Sequence, residues 1–490
     1  MKHRVPRAAF PLLPLPPLLL LLPALWLLRP PAASARVLHV EQAGAGRPRG
    51  VFTEVQAAID AAADGDTIRI GEGLFTASTA ASIVDPLCGN CLEHRTPVAA
   101  TAGFRIAGAR RLALIGAGAE RTVLSTGAGY GIWIDGGGGG EVRVEHLAVT
   151  GGARDADGNA TDAGVVVRGA RVTLEQVHVR DNTARAADEK VVVGIAGVVG
   201  REGAVLEVAG CRIENNGWDG IALYRGATAL IHDNVIEQGR GAGIGITWDA
   251  AAIVLRNRVS GYWKGIGTFG SSRAVVRNNA VFDNLGWGII ATGGSYLEAT
   301  QNVIVRNGNC GFAVWDSAAT GTARNNLIVD NGWRKEWVCP RVGIWHVGDP
   351  ARFTVPWNAA WRNVAGDLRV EGAGEAGAGA PTGAAAAAGE GGGAAADTSV
   401  ARPISIDPLF EGAADFRLRA GSPAIDAGDP DIQDADGSRS DLGLGGGSQA
   451  REHLGAPPPA LPAERNRVGS AAWAATIASR RAARSPQHSP

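Results

Sequence analysis

Five charged residues in the middle of the chain have the side-chain types that acid–base catalysis requires. They are Asp219, Arg225, Asp249, Lys264 and Asp316. Two carboxylates about 5–10 Å apart can hydrolyse a glycosidic bond. Asp219 and Lys264 each precede a glycine of a repeat and are two repeats apart, which places them about 10 Å from each other if the repeats stack as strands. Asp249 could instead simply pair with Arg225. We take these five residues as candidate catalytic groups, although no compact carboxylate pair emerges from their spacing.

Six aromatic residues recur at related positions of the same repeats. They are Trp218, Tyr224, Trp263, Phe269, Trp287 and Trp315. Three of them come just before a repeat glycine, and three follow it by four residues. Flat rings held about two repeats apart on a rigid sheet are suited to stacking against sugar faces. The alternative is that the rings only cover loops and pack against each other. The pattern predicts a polysaccharide-binding surface.

A third group is acidic and lies near the C-terminus. Its members are Asp429, Asp431, Asp434, Asp436 and Asp441. Closely spaced carboxylates supply the hard oxygen ligands that calcium prefers, so a structural Ca²⁺ is one interpretation. The segment lacks the later glutamate and the full spacing of an EF-hand loop. The other interpretation is a set of aspartate turns that closes the last repeat.

The chain has five cysteines. Cys88 and Cys91 form a CxxC pair for which a local disulfide is the preferred interpretation, because no second CxxC or histidine partner is evident. Cys310 adjoins the repeat glycine Gly311, and Cys339 lies in an insertion in the next repeat, so a disulfide between them would pin that insertion to the repeat below. Cys211 is expected to be a buried free thiol.

The elements that must position these groups are short repeats. Glycine–aliphatic or glycine–phenylalanine pairs begin at Gly220, Gly243, Gly265, Gly288, Gly311 and Gly343, with steps of 23, 22, 23, 23 and 32 residues. A second column runs in step with them: Cys211, Asn234, Asn257, Asn279, Asn302 and Asn326. Such self-similarity is typical of a solenoid whose repeats bury their apolar faces against neighbours. The asparagines predict an internal ladder of stacked amides.

The remaining segments complete an all-β solenoid of about ten coils. Residues 51–64 predict a helix that caps the first coil, with Thr53 and Gln56 at capping-box spacing. Residues 1–35 have the basic start, apolar run and Ala-Ser-Ala ending of a secretory signal peptide. Residues 36–447 form the solenoid domain, in which the Gly/Ala-rich stretch 371–399 predicts a flexible loop, and residues 448–490 predict a disordered tail.

The net charge and the predicted cellular location limit the binding partners of this protein. The net charge is −1, and residues 1–35 and 450–490 each carry +4, which leaves −9 on residues 36–449. A body this acidic argues against nucleic acid as the main partner. The signal peptide predicts a secreted, periplasmic or cell-surface protein with no membrane span after cleavage. We expect a monomer that binds polysaccharide.

The segment DGDTIRIGEGLF at 64–75, the Asn-Val/Ile column and the Asn-Gly-aromatic turns resemble right-handed parallel β-helix proteins of the pectate-lyase-like superfamily. The ending SPAIDAGDPDIQDADGSRSDLGLGGG at 422–447 is similar to a segment that closes many exported β-helix proteins. The resemblance implies a right-handed parallel β-helix, with polysaccharide lyase or glycoside hydrolase chemistry. For a lyase it implies an Arg or Lys base beside Ca²⁺. It also admits a non-catalytic surface or matrix solenoid and a periplasmic assembly factor of the copper-site maturation type.

Overall fold

The computed structural model describes residues 35–43, 50–78, 80–87, 97–183, 194–316, 318–335, 339–372 and 402–450. Four predicted features lie outside these residues: the signal peptide except for its last residue, the Cys88–Cys91 pair, all but the first two residues of the Gly/Ala-rich stretch, and most of the C-terminal tail. α1 (Val55–Ala61) and two 3₁₀ turns (Pro350–Arg352 and Gly443–Gly445) are the helical elements of the described chain. Its described residues hold no helix with the length and apolarity that crossing a membrane demands.

Short strands make up most of the remaining structure. In chain order they are β1 (Val37–Val40), β2 (Thr67–Ile70), β3 (Gly73–Thr76), β4 (Ala81–Asp85), β5 (Val98–Ala107), β6 (Arg111–Gly116), β7 (Thr122–Ser125), β8 (Tyr130–Asp135), β9 (Glu141–Glu145), β10 (Ala148–Thr150), β11 (Ala163–Arg168), β12 (Arg171–Glu175), β13 (His178–Arg180), β14 (Ala196–Arg201), β15 (Val205–Ala209), β16 (Arg212–Glu214), β17 (Ile221–Leu223) and β18 (Thr228–His232). They continue with β19 (Val235–Glu237), β20 (Ala242–Thr247), β21 (Ala251–Leu255), β22 (Arg258–Ser260), β23 (Lys264–Phe269), β24 (Arg273–Arg277), β25 (Ala280–Phe282), β26 (Trp287–Thr292), β27 (Tyr296–Thr300), β28 (Val303–Val305), β29 (Phe312–Trp315), β30 (Thr320–Arg324), β31 (Leu327–Val329), β32 (Ile344–Val347), β33 (Phe353–Thr354), β34 (Ala359–Trp361) and β35 (Leu368–Glu371).

These strands stack into three long sheets. Sheet A has the order β1-β2-β6-β9-β12-β15-β18-β21-β24-β27-β30-β33, sheet B has the order β3-β7-β10-β13-β16-β19-β22-β25-β28-β31-β34, and sheet C has the order β4-β5-β8-β11-β14-β17-β20-β23-β26-β29-β32-β35. Eleven coils follow β1, and each gives one strand to each sheet, except that the first gives both β4 and β5 to sheet C. The predicted solenoid of about ten coils is confirmed. Neighbouring strands are parallel, except that β4 lies antiparallel to β5.

The interior is a continuous apolar stack. In the regular coils the residues one and three positions after the repeat glycine point inward, as predicted, and Ile221, Leu223, Ile244 and Ile246 are fully buried. These aliphatic side chains lie directly above one another because the register between neighbouring strands is unbroken, with Ile221 opposite Ile244 and Leu223 opposite Ile246. Stacking of this kind lets each coil bury apolar surface that it could not bury alone.

The asparagine column forms the predicted ladder at the turn from sheet A to sheet B. The amide nitrogen Nδ2 of each asparagine donates to Oδ1 of the next one over 2.8–3.0 Å, from Asn234 through Asn257, Asn279, Asn302 and Asn326 to Asn358. The same Oδ1 atoms accept backbone N–H groups, for example that of Asn257 at Asn279. Cys211 occupies the same column as a buried free thiol, as expected.

A second ladder, at the turn from sheet B to sheet C, was not predicted. It joins Asn284, Asn307, Asn331 and Asn363 over 2.9–3.0 Å, and Asn182 to Asn216 over 2.9 Å. Between these two runs the column holds Gly239 and Tyr262. The Tyr262 ring occupies the space that a Cβ on Gly239 would take, and its backbone N–H donates to Asn284.

The helix α1 covers the start of the solenoid, where Val55, Ala58 and Ile59 join the core. It is shorter than the predicted segment 51–64, and the predicted capping box is wrong. Glu54 is the N-cap residue and makes no side-chain capping bond. Gln56 instead exchanges two hydrogen bonds with the backbone of Arg105 on β5. The helix is therefore anchored through its side to sheet C and not through a cap.

Two segments cover the outside of the solenoid. β4 and residues 150–162 lie over the N-terminal half of sheet C, where their apolar residues pack against Tyr130, Trp133 and Val166. Residues 402–450 run over the C-terminal half of sheet B, where Phe416, Leu442 and Leu444 pack against its aliphatic outer face. Ile404 and Leu418 take part in isolated bridges, so the predicted last strand pair is reduced to two contacts.

Candidate functional site

The candidate site lies on the outer face of sheet C, in the middle of the solenoid that neither covering segment reaches. Three columns of side chains face outward here. The first column contains Asp219, Ala242, Lys264 and Trp287, the second contains Ala222, Gly245, Gly267 and Ile290, and the third contains Tyr224, Thr247, Phe269, Thr292 and Trp315. Gly245 and Gly267 are neighbours in the register and leave a strip of bare backbone, which we call the glycine floor.

Asp219 leans over this floor from the first column. Its Oδ1 accepts the backbone N–H of Ala242 at 2.5 Å, while its Oδ2 lies 3.6 Å from the position that a Cβ on Gly245 would take. Only 8% of the residue is exposed. Burial raises the pKa of the Asp219 carboxyl to about 6, against the opposing effects of the Ala242 hydrogen bond and the charge of Lys264. The group is therefore mostly ionised at neutral pH while its affinity for a proton is raised, as a general base requires.

Lys264 leans over the floor one glycine further along. Its Cδ lies 3.3 Å from the position that a Cβ on Gly267 would take. Burial lowers the pKa of the Lys264 ammonium, and the nearby charge of Asp219 opposes the shift. Ala242 is the residue between Asp219 and Lys264 in the first column, and its side chain is a single buried methyl group. The structure thus brings together two of the five candidate catalytic residues.

Aromatic side chains border the floor. Tyr224 packs on Trp248 with ring centroids 5.5 Å apart. Trp218 lies against Gly241, and Phe269, at the far side, is 42% exposed. Trp248 is an aromatic neighbour that the repeat pattern did not single out, because it stands one position beyond the aromatic column and takes a left-handed backbone conformation. In the sequence, Trp248 could have been found only as an aromatic residue one position away from the column that holds Tyr224 and Phe269.

Beyond Lys264 the tryptophans form a continuous row. Ring centroids are 5.9 Å apart between Trp263 and Trp287, 6.2 Å between Trp287 and Trp315, and 5.8 Å between Trp315 and Trp345. The expected spacing of two coils between free rings is therefore wrong for this part, because Trp287, Trp315 and Trp345 contact each other on successive coils. The indole N–H groups of Trp287 and Trp345 are buried and have no hydrogen-bond partner among the described residues.

The other three candidate catalytic residues lie away from the floor. Arg225 forms an ion pair with Glu202 and stands over the Trp248 ring at 6.0 Å. Asp249 is exposed, in a turn with a left-handed backbone. The Asp316 carboxylate accepts hydrogen bonds from Thr292, Gly293, Ala318 and Ala319, so it closes a turn. In the register of the floor, Asp219 is the single carboxylate among the three described columns.

A hollow of about 700 Å³ lies elsewhere, on the outer face of sheet A. Aliphatic residues such as Leu230, Ile253 and Val275 line its centre, and Glu141, Arg171 and Arg273 stand among its lining. The hollow on sheet A and the candidate catalytic residues on sheet C therefore lie on different faces of the solenoid. We favour the sheet C site because a buried carboxyl and a half-buried lysine side chain lie over adjacent glycines there, and catalysis depends on such groups and not on volume.

Four of the five aspartates of the C-terminal segment accept hydrogen bonds from backbone N–H groups of the same segment. Asp429 accepts from Asp431 and pairs with Arg324, Asp434 accepts from Asp441 and Gly447, Asp436 accepts from Ser438, and Asp441 accepts from Asp426. Within the described chain no three acidic, histidine or cysteine side chains converge as metal ligands. These contacts fit the aspartate-turn interpretation, and calcium binding by this segment stays a prediction.

The Cys310 and Cys339 sulfur atoms lie 3.3 Å apart and both are buried, so the two residues are neighbours as expected. The structure records them as free thiols, and the predicted disulfide is not formed in it. They pack with Trp287 and Trp345, which places the insertion carrying Cys339 against the tryptophan row.

The chain is a right-handed parallel β-helix. The family described as "right handed beta helix region" matches residues 193–358. No curated protein sequence matches the chain.

Several solved structures share the fold. The A-module of mannuronan C-5 epimerase AlgE4 from Azotobacter vinelandii is 18% identical over 65% of this chain and 90% of that one, with a TM-score of 0.42. Pectate lyase Pel9A is 13% identical over 84% and 96% of the two chains, with a TM-score of 0.37. The periplasmic alginate epimerase AlgG is 10% identical over 56% and 77%, with a TM-score of 0.34. Likenesses at this level concern the fold alone.

Proposed function

We propose that the outer face of sheet C binds an acidic polysaccharide and cleaves it, with Asp219 as the base and Lys264 as its cationic partner. The observation that carries this proposal is the placement of the two side chains over adjacent glycines of the floor. A sugar ring can approach bare backbone closely, and Tyr224, Phe269 and the tryptophan row offer ring faces along the same line. The signal peptide at residues 1–35 predicts export, so the polymers of the cell surface, periplasm or medium are the ones available to this site.

The geometry favours a lyase over a hydrolase. Hydrolysis uses two carboxylates, and the described columns around the floor hold one. β-Elimination needs one base, together with a cation that stabilises the negative charge developing on the uronate. Asp219 would take the proton from the carbon beside the uronate carboxylate, and Lys264 would pair with that carboxylate. The electron pair forms the new carbon–carbon double bond, the glycosidic bond breaks, and the departing oxygen takes up a proton.

The test uses the full mature chain, with and without calcium, on a panel of uronate polymers. Wild type is expected to generate the absorbance of an unsaturated sugar, and Asp219→Asn is expected to reduce the rate by at least about a hundredfold. Asp283→Asn is the matched control, because Asp283 lies on a surface turn and pairs with Arg306. New reducing ends without unsaturated sugar would establish hydrolysis and overturn the lyase assignment.

A non-catalytic solenoid is the second candidate function, and one observation favours it. The tryptophans of the row pack against each other, as side chains do that only stiffen a surface. If no polymer is cleaved and none retards the protein in an affinity gel, the scaffold interpretation replaces the enzymatic one. Binding without cleavage would retain the polysaccharide site and remove the catalytic roles of Asp219 and Lys264.

A further inference from the structure

A second acidic cluster lies on sheet C, away from the glycine floor, where residues 150–162 cover β5 and β8. Its members are Asp155 and Asp162. The backbone N–H and the hydroxyl of Thr101 on β5 donate to Asp155 over 2.9 and 2.6 Å. Asp162 Oδ2 accepts from the guanidinium of Arg154 at 2.6 Å and from the backbone N–H of Asp155 at 3.0 Å. The pair therefore fastens this covering segment to the sheet.

The two carboxyl groups face each other over Gly129. Asp155 Oδ2 and Asp162 Oδ1 both reach into the small space that a Cβ on residue 129 would fill. The Asp162 side chain is fully buried, and its Oδ1 has no hydrogen-bond donor among the described residues. Two carboxylates in such proximity cannot both ionise without strong repulsion, and one proton between them removes the repulsion and satisfies the unpaired oxygen.

Among the residues that the structure describes, the charges around this pair leave room for one more positive charge. Arg154, from the same segment, faces Asp162. From β8 the Tyr130 phenol accepts the Thr161 N–H and donates to Asp85 of β4, while β5 contributes the uncharged Thr101. The positive charge of Arg154 thus balances the negative charge of one carboxylate, and the charge of the second carboxylate is not balanced by a described residue. Burial raises the pKa of the Asp162 carboxyl; Arg154 opposes this rise and the charge of Asp155 adds to it.

We propose that Asp155 and Asp162 share one proton, and that this proton holds residues 150–162 on sheet C as a pH-sensitive latch. A metal ion fits the cluster less well, because calcium prefers six to eight oxygen ligands, and here two carboxylates stand beside a guanidinium. The docked segment binds the proton more tightly than the released segment. Its docking is therefore firm in weak acid and weakens as the pH rises from about 4, the ordinary carboxyl value, towards neutrality and beyond. This inference is independent of the function proposed for the glycine floor.

Hydrogen–deuterium exchange of the full chain tests the latch. Exchange in the peptide covering residues 148–163, corrected for the intrinsic effect of pH, is expected to be at least about tenfold faster at pH 8 than at pH 5.5. Asp162→Asn places an amide N–H where Oδ1 stands, so it can donate to Asp155 at every pH. This variant is expected to stay protected at both pH values. Asp157→Asn, in an exposed turn of the same segment, should keep the wild-type pH dependence.

Three results would overturn the proposal. The first is equal protection of the wild-type peptide at the two pH values. The second is a pH dependence that survives in Asp162→Asn, with the ladder peptides around Asn279 and Asn302 showing that the variant is folded. The third is restored protection of wild type at pH 8 on addition of calcium chloride, lost in Asp162→Asn, which would identify a cation and not a proton as the bound species.

Discussion

Asp219 and Lys264 lie two coils apart on the outer face of sheet C, separated by Ala242 alone, with their side chains inclined over the adjacent glycines Gly245 and Gly267. The arrangement depends on three small residues at neighbouring positions. A larger side chain at any of them would fill the space between the carboxyl and the ammonium. The two charged side chains are therefore separated by small residues, of which Ala242 and Gly267 are buried.

Filling the floor should weaken polysaccharide binding without unfolding the chain. A Cβ on Gly245 would meet its neighbours no closer than 3.6 Å, so Gly245→Ala should keep both its fold and its affinity for polysaccharide. Gly245→Leu would extend over the floor and is expected to weaken binding by at least about tenfold, since a clash with the sugar costs more than 1.4 kcal/mol. Affinity electrophoresis on uronate gels measures the difference. Equal retardation of the two variants would place the polymer elsewhere.

The rate should depend on pH through Asp219. The base must be ionised, and burial raises its pKa to about 6, so the cleavage rate of the free enzyme should rise with pH and reach half its plateau near pH 6. A pH profile of kcat/KM measures this value. A profile that falls across the same range would assign Asp219 the role of an acid.

The same shift has a consequence for stability. The folded chain binds the Asp219 proton more tightly than the unfolded chain does, so this group lowers the free energy of unfolding as the pH rises between about 4 and 6. Asp219→Asn removes this contribution. The variant should consequently gain in melting temperature relative to wild type as the pH is raised from 4 to 6, and a constant difference between the two melting curves would contradict the assignment.

The asparagine ladder should be the most sensitive polar element of the interior. Asn279→Ala removes the oxygen that accepts both the backbone N–H and the Nδ2–H of Asn257, which leaves two buried donors unsatisfied. We expect a loss of about 2–4 kcal/mol in the free energy of unfolding. Differential scanning calorimetry against Thr228→Ala, an exposed position on sheet A, supplies the comparison. A melting temperature equal to that of the control would mean that the ladder is dispensable.

The cysteine pair should form its disulfide when the chain is produced in an oxidising compartment. Cys310 and Cys339 already face each other in the core, so the crosslink requires little movement. Alkylation of the unfolded chain before and after reduction, followed by peptide mass analysis, counts the free thiols. Labelling of both residues before reduction would show that the pair stays reduced.

Calcium removal should have little effect on stability. Asp434, Asp436 and Asp441 already accept backbone N–H groups, which hold the segment without an ion. Dialysis against a chelator is therefore expected to leave the melting temperature unchanged. A fall that calcium restores, and that Asp434→Asn prevents, would instead establish the structural calcium suggested by the spacing of these aspartates.

The solenoid could be predicted because its evidence is periodic. Asn257, Asn279 and Asn302 recur at the repeat interval, and stacking is the structural meaning of that interval. The second ladder stands five residues beyond the first, for example at Asn284 after Asn279, but Gly239 and Tyr262 interrupt its column. The Tyr262 ring fills the space beside Gly239, so the packing is continuous there. The asparagine repeat is nevertheless interrupted at these two positions, and the second column is therefore not evident in the sequence.

The site could be predicted only in part. Asp219 and Lys264 were recognisable because both occupy the same position in their repeats. The floor between them was not, because a glycine in a repeat of this kind usually marks a turn, and only the register shows that Gly245 and Gly267 are neighbours. The latch residues Asp155 and Asp162 lie in a segment without a repeat, and its docking depends on Thr101 more than fifty residues earlier.

Residues 402–450 change how the C-terminal coils of the solenoid can unfold. A solenoid whose coils touch only their neighbours can fray stepwise from either end. Here one strap hydrogen-bonds to Arg258, Asn278, Gln301 and Asn325, residues of four successive coils. These four coils cannot unfold one at a time, because residues 402–450 would have to detach from the other three coils as well. The four coils bound by residues 402–450 should therefore unfold cooperatively. They should also resist mechanical force better than a solenoid without such a segment.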